Sequence, residues 1–500
     1  MIRFIPKALV VLMFTVSFQS HTFAANESGE SNAGNPDTGI HISSIADSVI
    51  KLLPSEVEAK FQESGLPSLS IAVVYDRDIV YSQAFGSADL EKNIPATTKT
   101  IYPIASITKV FVATMLVQLA EAGIVTLDMP VKEILPEYQV KSPFAGTQPT
   151  TLRQLAMHTS GLPREAPLNF WSDLAAANWL LTGGSSEMKW YVSEEELLAS
   201  LPYIELEYAP NSRYSYSNLG MVLLGIALER AAGKSFAEYI ESNILRPLGM
   251  HDSGFMLHKR QPSGVPTGYV YLYPESEPLI APEWELGSAL YSGGLYSTAE
   301  DMARFLSLQF QDAAPGGAQI VSPDGLRMMH LESLGWGLGW DPKHPVIEHT
   351  GGHLGFYAHV RAIPTLKIGV VALTNSNNPL IDEKPSRDIA RGILEELKQA
   401  ILAGSVPDFV DPEQIDLNKY AGAYTLPGAR AEMMVELREG RLHVRLLQDS
   451  TFNYSMIPVG VNEFGNADDP DKTAWFSFQT DDAGKVESLK FLEFTFKRNQ

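Results

Sequence analysis

Apolar and polar positions change rhythm several times along this chain. Residues from Ile45 to Phe61 read as a helix. Leu69 to Tyr75 and Ile79 to Phe85 are β-rich runs separated by Asp76-Arg77-Asp78, the pattern of a hairpin. From about Ser106 to Gln311 the spacing is mostly helical with long irregular loops, and Ser297-Thr298-Ala299-Glu300 has capping-box spacing before Met302, Ala303, Phe305 and Leu306. Strands return at Val346 to His349, Phe356 to Ile363 and Lys367 to Thr374, and a helix follows from about Arg387 to Ala403. Strands at both ends with helices between predict an α/β fold, one mixed sheet assembled from distant segments and flanked by helices, with an all-helical subdomain beside it.

Gly404 to Gln414 carries Gly, Pro and Asp and reads as a linker. Beyond it the pattern is all β. Glu432 to Arg438, a Glu439-Gly440 turn and Arg441 to Leu447 come first, then Ala474 to Gln479 and Lys485 to Phe496 around the turn Asp481-Asp482-Ala483-Gly484. A small antiparallel barrel over residues 415–500 fits this, which gives the 45–403 segment a separate C-terminal neighbour. At the other end, Arg3 and Lys7 precede the apolar run Ala8 to Phe18 and the small-residue stretch Thr22-Phe23-Ala24-Ala25. That is the layout of a secretory signal peptide over residues 1–24, followed by a polar, flexible leader over 25–44. The chain is therefore expected to be periplasmic or secreted, with no transmembrane anchor once the signal peptide is removed.

Charge narrows the partners. The chain carries 38 basic and 59 acidic residues, a formal net of -21. Removing Arg3 and Lys7 with the signal peptide takes -21 to -23. A nucleic-acid partner would need a cationic footprint that is missing, so the expected partner is a small substrate. There is no cysteine, which excludes a thiol nucleophile, a cysteine metal site and a disulfide framework. His349, His353 and His359 lie close in sequence, yet His-Glu-x-x-His is absent and the three straddle a Gly-rich turn, so neither metal nor cofactor is expected.

The chemistry-bearing segment is Ser106-Ile107-Thr108-Lys109, followed by Val110 to Ala120, apolar on nearly every side. A helix that apolar belongs in a core. With Ser106 in its first turn, Lys109 is the i+3 neighbour, close enough to take the hydroxyl proton once burial lowers its pKa. Ser-x-x-Lys also occurs at Ser48 to Lys51 and Ser186 to Lys189, but neither begins a long apolar helix. Two further elements supply context. Tyr216-Ser217-Asn218 is the only Tyr-x-Asn among 19 tyrosines, and the apolar helix Leu219 to Leu228 follows it directly. A tyrosine beside an ammonium is expected to be pulled toward phenolate and to shuttle protons. His349-Thr350-Gly351-Gly352 ends a strand, and its glycines let a substrate approach the strand edge. The N–H of Gly352 with that of Ser106 would make an oxyanion hole. A similar His158-Thr159-Ser160-Gly161 reads as a helix-ending turn.

Ser-x-x-Lys, then Tyr-Ser-Asn, then His-Thr-Gly, in that order, resembles the penicillin-recognising serine hydrolases, in particular the class C β-lactamase-related branch. Leu155-Ala156-Met157-His158-Thr159-Ser160-Gly161-Leu162-Pro163, Gly293-Gly294-Leu295-Tyr296-Ser297-Thr298-Ala299-Glu300-Asp301-Met302 and Gly335-Trp336-Gly337-Leu338-Gly339-Trp340 reinforce the resemblance, which covers about residues 45–403. It implies a β-lactamase/transpeptidase-like fold. It also implies Ser106 as acylated nucleophile, Lys109 as its partner, Tyr216 as proton shuttle and Asn218 on the substrate amide. His349, Thr350 and Gly351 would flank the substrate, with Gly352 in the oxyanion hole.

One position departs from the pattern. Lysine usually opens the third motif in β-lactamases and transpeptidases, where its charge helps hold the substrate carboxylate; histidine there resembles the esterase and D-amino-acid peptidase members. Leu417-Asn418-Lys419-Tyr420-Ala421-Gly422-Ala423-Tyr424 is similar to the start of a lipocalin-like β-domain appended to some of these hydrolases. The resemblance implies an exported serine hydrolase acting on a D-amino-acid peptide, an amide or a small ester. The alternatives are a penicillin-binding or peptidoglycan-sensing protein with little turnover, or a weak class C-like β-lactamase. An α/β-hydrolase lipase is disfavoured because Gly-x-Ser-x-Gly is absent.

Overall fold

The computed structural model describes residues 42–166, 179–184, 192–257, 264–272, 276–282, 286–310, 319–331, 346–377, 384–405, 417–427, 431–438, 441–447, 449–460, 463–466, 476–481, 485–491 and 494–499. The expected signal peptide and nearly all of the leader, the Ser186 to Lys189 match, Trp336, Trp340 and most of the linker lie outside them. The chain divides into two compact units, one spanning Ser43–Ile401 and the other containing Leu402–Gln500.

In the first unit, α1 (Ile42–Ser64) leads into β1 (Ser68–Tyr75), β2 (Asp78–Asp89) and the two-residue β3 (Ile94–Pro95). The helices α2 (Thr108–Glu121), α3 (Asn218–Ala232) and α4 (Ala299–Leu308) follow, and the chain returns through β4 (Ile347–His353), β5 (Phe356–Ile363), β6 (Ile368–Thr374) and α5 (Pro385–Ser405). The six strands pair in the order β3-β2-β1-β6-β5-β4. β1 meets β6 antiparallel, with Ala72 opposite Val371, so the first and last segments of this unit share the middle of one sheet. Those two strands are buried along almost their whole length because both faces are covered. Leu69, Ile71, Val73, Val370 and Ala372 face Leu53 and Val57 of α1 and Ile389, Ile393 and Leu397 of α5. The alternate residues, among them Ala72, Val74, Val371 and Leu373, face the helical layer.

That layer explains why α2 has no polar side. Val110, Phe111, Met115 and Leu116 are fully buried, and the Phe111 ring stacks on Phe305 of α4 at 4.1 Å. α3 packs beside it, and the short helix Leu290–Gly293 lies against α3 at Gly225, where a Cβ would stand 2.7 Å from the Tyr291 side chain, closer than side chains tolerate. Capping before α4 falls one residue later than the sequence pattern predicts. Ser297 is consumed by a short strand, Leu295–Ser297, pairing with Tyr102, so Thr298 becomes the N-cap and accepts the Asp301 N–H at 3.2 Å.

The second unit is an antiparallel sheet of eight strands that curls until its ends meet. They are β7 (Gly422–Thr425), β8 (Glu432–Arg438), β9 (Arg441–Leu446), β10 (Asp449–Gly460), β11 (Glu463–Asn466), β12 (Phe476–Thr480), β13 (Val486–Phe491) and β14 (Phe494–Arg498). β7 pairs with β14 at Tyr424 and Arg498, closing the barrel. The single run expected from Lys485 to Phe496 is two strands, with Phe491 opposite Phe494. Tyr420, Tyr424, Phe464, Phe476, Phe478, Phe491 and Phe496 pack into one buried cluster with aliphatic residues such as Met433, Val435, Val444 and Leu489. Arg498 ties the entry of the unit by donating to the carbonyls of Lys419 at 2.9 Å and Ala421 at 2.6 Å. Among the described residues no helix is long and apolar enough to cross a membrane.

Candidate active site

Ser106 lies in a single 3-10 turn, Ala105–Ile107, that runs straight into α2. Ala105 has φ +46°, a conformation costly for any residue with a Cβ, and the surroundings hold it there. The Ile104 N–H bonds the Leu295 carbonyl at 2.9 Å. Thr108 Oγ1 donates to the Ala105 carbonyl at 2.7 Å and accepts the Leu295 N–H at 3.1 Å. On the other side, a Cβ on Gly351 would stand 2.0 Å from the Ile104 oxygen, so only glycine lets β4 lie against the turn.

Lys109 points back along α2 and is buried with 1% exposure. Its Nζ lies 3.0 Å from Ser106 Oγ and donates to the Ser292 carbonyl at 2.9 Å. Burial is the main influence on this amine: it lowers the pKa to about 7, with Glu165 pushing it up and Arg164 pushing it down. An amine titrating there is a competent base for an alcohol one turn away.

The second motif meets the first. The Ser106 side chain acts on the Tyr216 phenol, and the Lys109 Nζ and the Arg164 guanidinium each stand 5.1 Å from its ring centroid. The expected pull toward phenolate is reversed. Burial dominates and raises the Tyr216 pKa to about 12, against smaller lowering by the Ser106 side chain and Arg164. The phenol is therefore neutral at physiological pH, suited to relaying a proton rather than to taking one as a base, whereas the buried lysine is able to act as base. Asn218 is the first residue of α3, and the N-cap is Ser217, whose Oγ accepts the Gly220 N–H at 2.9 Å. Asn218 Nδ2 donates to Glu165 Oε1 at 2.5 Å, while its buried Oδ1 takes no partner among the described residues.

The third motif is not a turn. β4 continues through both glycines to His353 and is the edge strand of the sheet. Leu354 and Gly355, with φ +74° at the glycine, form the two-residue turn into β5. The closing pair His353 and Phe356 is then hydrogen-bonded, and alternation makes Gly352 opposite Tyr357 a pair whose N–H and C=O point away from β5, out of the sheet. Gly352 is exposed, and Gly351 touches the turn that carries Ser106. Thr350 is likewise a non-hydrogen-bonded residue, so it offers the edge its backbone. Its side chain lies on the opposite face from His349, the face that carries Tyr357. His349, opposite Val360, is buried on the helical face; its Nδ1–H donates to the Thr350 carbonyl at 2.7 Å, and its buried Nε2 has no partner among the described residues. Burial, then Lys109, push its pKa down to about 3. His353, whose Nε2–H donates to the Gly293 carbonyl at 3.1 Å, is held down to about 4 by burial.

The structure thus brings together Ser106, Lys109, Tyr216 and the Gly351-Gly352 edge, with Asn218 tied in through Glu165. Sequence reasoning missed Arg164, Glu165 and His158. The first two follow directly on Gly161-Leu162-Pro163, and the Arg164 carbonyl accepts the Asn218 N–H at 2.9 Å. An oppositely charged dipeptide just past an apolar helix-ending segment was the available signal.

A serine set at a strained helix start, with a desolvated amine behind it and an open strand edge in front, is the arrangement of the penicillin-recognising serine hydrolases, and the chain is a serine hydrolase of that class. The Beta-lactamase family profile matches residues 54–393, and the chain belongs to this family. Beta-lactamase-like protein 2 of Dictyostelium discoideum is 34% identical over 365 residues, covering 70% of this chain and 64% of that relative, just under two thirds of its length. The D-alanyl-D-alanine-carboxypeptidase/endopeptidase AmpH of Escherichia coli strain K12 is 29% identical over 357 residues, 67% of this chain and 86% of that one. Among solved structures, the octameric penicillin-binding protein homologue from Pyrococcus abyssi is 26% identical, with a TM-score of 0.58 over 89% of this chain and 99% of that one.

Proposed function

We propose that the chain is an exported serine hydrolase, acylated at Ser106, that acts on D-amino-acid-containing peptides or amides or on small esters in the periplasm or outside the cell. The observation that carries this reading is the 3.0 Å approach of the buried Lys109 amine to Ser106 Oγ. In acylation the Ser106 proton passes to Lys109 Nζ as Oγ bonds the substrate carbonyl carbon. The oxyanion that forms is met by the N–H groups of Ser106 and Gly352. Collapse breaks the bond to the leaving amine or alkoxide, which takes its proton through the Tyr216 hydroxyl, and water then releases the acyl group by the reverse route. The substrate backbone lies along the free edge of β4. Asn218, anchored by Glu165, orients the substrate amide.

His349 bears on substrate choice. A neutral imidazole at the head of the third motif offers no charge to a substrate carboxylate, which favours an amide, ester or internal peptide bond over a free C-terminus. The AmpH relative, named for both carboxypeptidase and endopeptidase action, supports a peptide substrate. The test is a screen of short-chain esters, D-amino-acid amides and a chromogenic cephalosporin beside Ser106→Ala. Steady product release that Ser106→Ala abolishes is the expected result. A single stoichiometric burst on every substrate would instead make this a binding or sensing protein.

A further inference from the structure

We propose that His158 is a positioning residue for acylation, holding the Tyr216 ring and the start of α3 through one backbone and two side-chain contacts; this deepens the acyl-enzyme reading and rests on it. His158 follows the short helix Leu152–Ala156 and adopts φ +57°, uncommon for a residue with a Cβ, and it is 1% exposed. Its carbonyl accepts the Ser215 N–H at 2.8 Å, and its ring Nδ1 accepts the Ser217 N–H at 3.2 Å. Between those two anchors its imidazole packs on the Tyr216 ring, with centroids 4.5 Å apart and planes at 30°. One residue thus grips both backbone neighbours of the tyrosine and the tyrosine itself.

The grip has chemical consequences. Because Nδ1 accepts a backbone N–H it carries no proton, so the neutral ring has its proton on Nε2. Burial, with Lys109, His349 and Arg164 adding to it, holds the imidazole neutral, so the Ser217 contact persists. Arg164 and Lys109 approach the same phenol, each 5.1 Å from its centroid, so the ring that aims a hydroxyl at Ser106 is braced by three neighbours. Ser217 is also the N-cap of α3, so the Nδ1 contact sets where Asn218 begins. A helix-ending turn alone requires none of this: any residue tolerant of positive φ would serve, whereas the acceptor and the stacked ring require an imidazole.

The test uses the full chain with a fluorescent penicillin as acylating probe. Acylation rate constant and non-covalent affinity are measured separately for wild type, His158→Phe and His158→Asn, with Ser106→Ala as control. His158→Phe keeps a ring and loses the acceptor, while His158→Asn places an amide oxygen near the Nδ1 position. The expected result is an acylation rate lowered about 100-fold in His158→Phe with little change in affinity, since small misplacements of catalytic groups cost that much. His158→Asn should recover part of the loss. Wild-type rates in both variants, or losses that only follow the melting temperature, would overturn the proposal. If neither variant folds, imidazole nitrogen NMR of the wild type decides: a proton on Nε2 and none on Nδ1 supports it, and a protonated Nδ1 overturns it. Labelling of Ser106→Ala would instead bring down the acyl-enzyme reading itself.

Discussion

The pH dependence of acylation follows from the environment of one amine. Lys109 can take the Ser106 proton only when neutral, and burial lowers its pKa from 10.5 to about 7. At 1.36 kcal/mol per unit, the site disfavours the ammonium form by about 5 kcal/mol. At pH 7 about half the molecules hold a neutral amine; at the ordinary pKa of 10.5 it would be about one in 3000. Protonation removes the base, so acylation must rise with pH through a single ionisation near 7, gaining about tenfold between pH 6 and pH 8. No second acidic limb near 6.5 is expected, because His349 is held down to about 3, and no alkaline limb below pH 10, because Tyr216 titrates at about 12. Stopped-flow acylation of the full chain by a chromogenic cephalosporin from pH 5.5 to 9.5, under subsaturating conditions, reads this directly. A flat profile, or a rise centred above pH 9, would refute the desolvated-base argument.

Two variants probe the same electrostatics and packing. Glu165 raises the Lys109 pKa, so Glu165→Gln, which keeps an acceptor for Asn218 Nδ2, should move the acylation limb to lower pH; an unmoved limb would count against Glu165 as part of the site. Gly351→Ala puts a Cβ 2.0 Å from the Ile104 oxygen, so β4 and the turn that carries Ser106 must separate. Overpacking of this kind costs about 1–3 kcal/mol, and acylation should fall about 100-fold, read as a lower melting temperature and a slower rate together. Unchanged values of both would mean the turn and strand are not in contact.

The order of the three motifs along the chain was legible because each sits on an element with a strong pattern. Ser106 precedes a helix apolar on every side, Asn218 opens another, and β5 stands as Phe356 to Ile363 in pattern and structure alike. What could not be read depends on atoms brought from elsewhere. The extension of β4 past His349 goes against the weak strand preference of glycine, and is set by pairing with β5 and by the close approach of Ile104. The direction of the Tyr216 shift depends on how deeply the phenol is buried, which no local pattern encodes. His158 reads in sequence as a helix-ending turn, as it is in the structure, and only its contacts with Tyr216 and Ser217 reveal a further role. In the C-terminal unit, β10 passes unnoticed although Phe452, Tyr454 and Met456 alternate with Thr451, Asn453 and Ser455, because Pro458 inside the run argues against a strand.

The most direct test is intact-mass spectrometry of the full chain after exposure to a β-lactam probe, followed by peptide mapping. One adduct per molecule on Ser106, absent from Ser106→Ala and slowed at pH 5.5 relative to pH 8, is the predicted result. An unmodified chain under all conditions, or an adduct on any other residue, would contradict the assignment of this serine as the nucleophile.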